Sequence, residues 1–148
     1  YYSIAYSHPI ISEQMAKNRE KAVNSTIDEF VLERANKFKG VFESYKDLKN
    51  EKNTLYLKYS NMIENPKDFL DQIQNFCEIK LSKELVNKII TEDLALPPKE
   101  DISLHKRSGK TGVYKEKLQP ETIEILNEKF KDILLYFDLD SELKIKNF

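Results

Sequence analysis

The stretch TLYLKY, Thr54 to Tyr59, is the one convincing β-strand in this sequence. Leu55, Leu57 and Tyr59 fall on one side and Tyr56 and Lys58 on the other, which is the two-residue period of a half-buried strand. A lone strand cannot make a sheet, because its backbone N–H and C=O groups need partners across a ladder. The spacing therefore predicts a sheet supplied from outside these residues. The chain also opens at Tyr1 without a Met, on the aromatic run YYSIAY. Together these features predict a piece of a longer chain, with any targeting signal in the part that precedes it.

Around that strand the sequence reads as helices. YYSIAYSHPII (residues 1–11) reads as the end of a buried element running into a loop at Pro9. Ser12 is a candidate N-cap for a thinly amphipathic surface helix over 12–23. Thr26 with Glu29 three residues on forms a capping box. Apolar residues then recur from Ile27 through Phe30, Ala35, Phe38, Phe42 and Tyr45 to Leu48, the stripe of a long helix that faces a core. Gly40 lies within it, where a neighbour could approach closely. Asn65 and Pro66 start another helix, with Phe69, Leu70, Ile73, Phe76 and Cys77 on one face. Ser82 caps the next, with Leu81 and Val86 spaced for a hydrophobic staple. Pro97-Pro98 ends helical structure. Pro120 starts a last long helix with Ile123, Leu126, Phe130, Ile133, Leu134 and Phe137 inward.

Composition narrows the function classes. The net charge is −1, so the molecule has no general attraction for nucleic acid or an anionic membrane, and any anion site must come from a local cluster. A single Cys, Cys77, rules out an intrachain disulfide and reads as core. Two His and one Cys, far apart, argue against structural zinc. No apolar run is long enough to span a membrane.

The local cluster is HKRSGKTGVYKEK, His105 to Lys117, with one Arg and four Lys against one Glu and two of the chain's three Gly. Glycines let backbone N–H groups close on an anion. Arg offers a planar fork for phosphate oxygens, and Ser108 and Thr111 add hydroxyl donors. By composition alone the segment is either a phosphate site or a solvated basic loop. The spacing is not that of a Walker A loop.

In this segment Arg107-Ser108-Gly109-Lys110-Thr111-Gly112-Val113-Tyr114-Lys115 resembles the late Arg-Lys-Gly-x-x-Gly-Asp-Trp-Lys motif of sulfotransferases. QPETIEILNEKF (119–130) continues the likeness in register. LYLKYSNMIENPKDFLDQIQNFCEI (55–79) is similar to that family's strand, which ends in Tyr-Glu-Asp-Leu and leads to a helix after Asn-Pro. YYS at Tyr1 looks like the residues just after the family's Arg-Asp-Pro stretch.

The resemblance implies an α/β fold, with residues 1–148 as the C-terminal, mostly helical portion of a single P-loop-like, three-layer domain. It implies transfer of a sulfuryl group from 3′-phosphoadenosine 5′-phosphosulfate (PAPS) to a hydroxyl or amine, releasing adenosine 3′,5′-bisphosphate (PAP). Arg107, Ser108 and Gly109 match the triplet that grips the donor's 3′-phosphate, with Ser in place of Lys. Tyr59 matches the residue beside adenine. Val113 and Tyr114 replace the family's Asp and Trp. The catalytic base and phosphosulfate loop belong to the part before Tyr1, so no catalytic residue and no metal ligand is assigned here. The implied partners are a small-molecule or glycan acceptor and the preceding part of the same domain, with no nucleic acid. The expected compartment is the cytoplasm. Two other readings are a P-loop kinase relative and a non-enzymatic helical module that docks through the basic loop. The lone strand argues against the second.

Overall fold

The computed structural model describes residues 1–95, 100–103 and 111–139. Its elements are a π-helical turn at Ser3–Ser7, α1 (Glu13–Val23), α2 (Ile27–Lys46), α3 (Tyr59–Glu64), α4 (Pro66–Cys77), α5 (Lys83–Lys88) running into a second π-helical turn at Ile89–Asp93, α6 (Tyr114–Lys117) and α7 (Pro120–Tyr136). They fall into two compact units. The first holds residues 1–51, 102–103 and 112–139; the second holds 52–95, 100–101 and 111.

The first unit is built on α2. At its start the capping box is complete: Glu29 N–H donates to Thr26 Oγ1 (3.2 Å), and Thr26 N–H donates back to the Glu29 carboxylate (2.9 Å). Ser12 caps α1 in the same way, accepting from Met15 N–H at 3.2 Å. The α1–α2 corner closes on a small core of Ala5, Ala22 and Phe30, with Tyr1, Ile4 and Val31 packed around it. Tyr1 meets Phe30 edge to face with ring centroids 5.4 Å apart, and the Arg34 guanidinium covers Phe30 at 4.3 Å.

α7 lies along α2, and the bonds between them give the direction. Gln119 N–H donates to Asp28, Lys129 to Asn36, and Lys49 to the Tyr136 carbonyl. Both helices advance together along this series, so they run parallel. Ala35 on α2 and Thr122, Ile133 and Phe137 at α7 are buried. Asp132 takes Lys39 at 3.0 Å and Lys46 at 3.3 Å, which ties the C-terminal parts of the two helices together.

In the second unit, α3 and α4 pack together. Asn65 caps α4 by accepting from Asp68 N–H, and Pro66 takes the first helical position. Only Leu70 is buried on α4. The helix closes on Glu78 in a left-handed conformation (φ 54). Gln74 then reaches past the end to accept from Leu81 N–H at 2.7 Å, and Ser82 caps α5. The expected helix stop at Pro97-Pro98 lies outside the described residues.

The expected strand does not form. Residues 54–58 adopt no regular element, although Lys58 keeps extended angles (φ −88, ψ 135), and Tyr59 is already the first residue of α3. A ladder needs a second strand, and none is present among the described residues. The chain is thus mostly helical where it is described. Cys77 is exposed rather than core, because α4 buries its face at Leu70 and ends at Cys77. The long stripe of α2 is inward only in its first half: Phe38, Val41, Phe42, Tyr45 and Leu48 are exposed. A Cβ at Gly40 would meet nothing within 4 Å, so that glycine marks no close approach.

Two measurements test this architecture. Ile133 is 1% exposed, so Ile133→Ala leaves a cavity between α2 and α7 and costs about 2–5 kcal/mol by urea unfolding; Val41→Ala, on the exposed stretch, shifts the midpoint little. Asp28 is held below the usual aspartate range, first by the Gln119 N–H and then by the Thr122 hydroxyl. A depressed folded-state pKa adds stability that is full above the unfolded value, roughly 3.9, and is lost as pH falls through the folded value. Asp28→Asn is therefore less stable than the parent at neutral pH, and the two converge in acid. A gap that stays constant down to pH 2 would assign Asp28 no such role.

Candidate functional site

Of the residues the sequence points to, Tyr59 is described and Arg107, Ser108 and Gly109 lie outside the described residues. Tyr59 opens α3 directly after the extended segment and is 52% exposed. Its position follows from the local pattern: Lys58 is still extended, no side chain caps the helix, and the chain turns within one residue. An aromatic ring at such an edge can lie against a planar base.

The chain that leaves the basic segment is positioned in detail. Gly112 has φ +73, a conformation that favours glycine. Its carbonyl accepts from Lys115 N–H at 3.0 Å, and Val113 accepts from Glu116 N–H at 3.1 Å. This tight turn opens α6, which carries Lys115 and Lys117. Lys117 Nζ sits 5.8 Å from the centre of the Tyr2 ring. Leu118 is extended, and Asp28 then holds Gln119 N–H at 2.9 Å where α7 begins. Gln119 makes no side-chain cap of its own, so Asp28 supplies the cap from another helix.

Tyr2 belongs to an aromatic group at the chain's start. Tyr1 meets Tyr2 and Tyr6 edge to face at 5.2 and 6.3 Å, and Tyr2 and Tyr6 lie tilted at 6.3 Å. Burial, then Tyr6, pushes the Tyr1 hydroxyl above its usual range. That hydroxyl donates to the Ser25 carbonyl at 3.4 Å. The group is thereby tied to the α1–α2 corner, and through Tyr2 it touches the lysine that follows the basic segment.

Sequence reasoning missed Asp28 and Lys49. Asp28 looks like an ordinary first-turn acid of its own helix. Lys49 donates to the Tyr136 carbonyl at 2.6 Å and lies 4.8 Å from the Tyr136 ring, which closes the far end of α7. Neither contact has a local signal, since each joins residues far apart in sequence. Among the described residues, no cluster of His, Cys, Asp and Glu could hold a metal ion, and no helix is long and apolar enough to cross a membrane.

The description "Sulfotransferase domain" is the family whose profile matches this sequence, over residues 2–138. No curated protein and no solved structure matches it. The matched range includes the Tyr59 segment, the basic segment and α7, and the chain belongs to the sulfotransferase domain family.

Proposed function

We propose that the chain holds the 3′-phosphate of a PAPS donor within a sulfotransferase that acts on a hydroxyl or amine. The observation that carries this reading is the family match over residues 2–138, a range that includes both Tyr59 and the basic segment. Arg107 offers a bidentate fork to the 3′-phosphate, Ser108 a hydroxyl donor, and Gly109 a backbone that an oxygen can approach. Lys106 and Lys110 add positive charge on either side. Tyr59 lies against the adenine ring. The donor set is cationic and hydroxylic, as a phosphate monoester requires, and it separates this donor from ATP, which has no 3′-phosphate.

In this reading the residues of this chain orient the donor rather than react. Fixing the 3′-phosphate end aligns the sulfuryl group with the acceptor, so the attack is in line. A base removes the acceptor proton, and cationic and backbone donors steady the charge on the sulfuryl oxygens. We assign that base, and the loop that binds the phosphosulfate, to chain preceding Tyr1. The acceptor is a small molecule or a glycan, and the proposed compartment is the cytoplasm.

One observation favours a second reading, a helical module that docks through its surface: the second half of α2 exposes Phe38, Val41, Phe42 and Tyr45, and Leu48 just beyond it is exposed too. A ligand titration separates the two. PAP raises the melting temperature, 5′-AMP does so little, and Arg107→Ala abolishes the PAP response. At a hundred times the dissociation constant the gain is about 2.7 kcal/mol. An equal response to both nucleotides would remove the 3′-phosphate assignment. No response to either, in protein extended to include the preceding chain, would favour the docking module.

A further inference from the structure

A pocket lies where the first π-helical turn meets α1, away from the basic segment in sequence. Its cavity volume is about 90 Å³, well under the roughly 300–1,000 Å³ of pockets for drug-sized ligands, so only a small molecule fits. Ile4, Pro9, Ile10 and Met15 make its apolar wall. His8, Asn18 and Arg19 supply its polar atoms.

The wall is held in place. The π-helical turn closes with His8 N–H donating to the Ser3 carbonyl at 2.8 Å. His8 then turns extended (ψ 138) ahead of Pro9. From α1, Arg19 Nε donates to the Ile4 carbonyl at 3.1 Å, and a second guanidinium nitrogen donates to the His8 carbonyl. One side chain therefore fixes both ends of the turn that lines the pocket. π-helical turns of this kind concentrate at functional sites.

The charge around the pocket selects the ligand. None of the lining residues is acidic. Arg19 brings a positive charge to the polar side. Asn18 Oδ1 already accepts from Arg34 and Gln14, each at 3.4 Å, so what Asn18 offers a ligand is its N–H donors. The polar side thus presents donors and positive charge, facing an aliphatic wall. We propose that this pocket binds a small aliphatic carboxylate, with the alkyl end against Ile4, Ile10 and Met15 and the carboxylate toward Asn18 and Arg19.

The sequence has two methionines, Met15 and Met62, and they fall in different units. Protein labelled with ¹³C at the methionine methyls therefore carries a reporter and a control. Hexanoate, 1-hexanol and hexylamine are titrated in turn. Hexanoate moves the Met15 signal saturably at millimolar concentration, hexanol binds more weakly, hexylamine leaves it in place, and Met62 does not respond. Ile10 is 51% exposed, so Ile10→Asp keeps the fold, checked by the amide spectrum, and weakens hexanoate by at least about tenfold. A Met15 signal that stays still, or drifts without saturating, overturns the proposal. So does a Met62 shift equal to that of Met15, or hexanol or hexylamine binding as well as hexanoate. None of these outcomes depends on the PAP titration, so the two readings fail separately.

Discussion

The parallel pairing of α2 and α7 is the constraint on which the first unit depends. Two parallel helices bring like ends of their macrodipoles together, which is unfavourable by itself. Here α2 answers at both ends of α7. Asp28 places a carboxylate at the α7 N-terminus, on Gln119 N–H. Lys49 places an ammonium at the C-terminus, on the Tyr136 carbonyl. Each satisfies a backbone group that a helix end otherwise leaves to solvent, and each has the sign that the dipole requires. Tyr136 returns the contact by donating its hydroxyl to the Lys46 carbonyl at 2.9 Å. Between the ends, Ile133 and Phe137 bury apolar surface and Asp132 takes two lysines. The exposed ion pairs add little alone; the register they enforce is what the buried residues need.

That register reaches the basic segment. Going back along the chain from Gln119, Leu118 is extended, α6 is a single turn and Gly112 takes a left-handed conformation. A phosphate clamp depends on where its backbone begins and ends more than on how many lysines it carries. His105 to Lys117 has the composition of any solvated basic loop. Its spacing from α7, with Gly112 as a turn within it, is what makes it comparable to the family's motif.

What could be read from the sequence was what is local in it. The caps at Ser12, Thr26, Asn65 and Ser82 all form, because each is a side chain reaching a backbone N–H three residues on. The starts of α4 and α7 at Pro66 and Pro120 reflect a fixed φ and a missing donor. The strand failed for the opposite reason. Alternation in TLYLKY describes the faces of a strand, but a ladder belongs to two strands, and no second one stands among the described residues. Cys77 and the second half of α2 failed in the same way: apolar periodicity says which face can be buried, not whether anything arrives to bury it. Asp28 and Lys49 were invisible because their partners lie far away in sequence. At the candidate site, Tyr59 can be judged as an exposed ring at the start of α3, whereas Arg107, Ser108 and Gly109 rest on motif and register.

The unmet demands point one way. Residues 54–58 alternate like a strand but join no ladder, and the α2 stripe from Phe38 to Tyr45 is largely exposed, with Phe42 meeting Phe137. A strand pattern outside a sheet and a helix face without cover are the two features that an α/β layer accommodates, as sheet strand and flanking helix. A self-contained helical module has no use for the first, since alternating residues gain nothing in a loop, while the exposed face alone suits either reading. Each would be met by a further layer of such a fold, and the proposed function requires one, because the phosphosulfate loop and the base must stand on something. The positions in this sequence that look out of place in a helical unit are therefore the ones that make sense as part of a sulfotransferase domain.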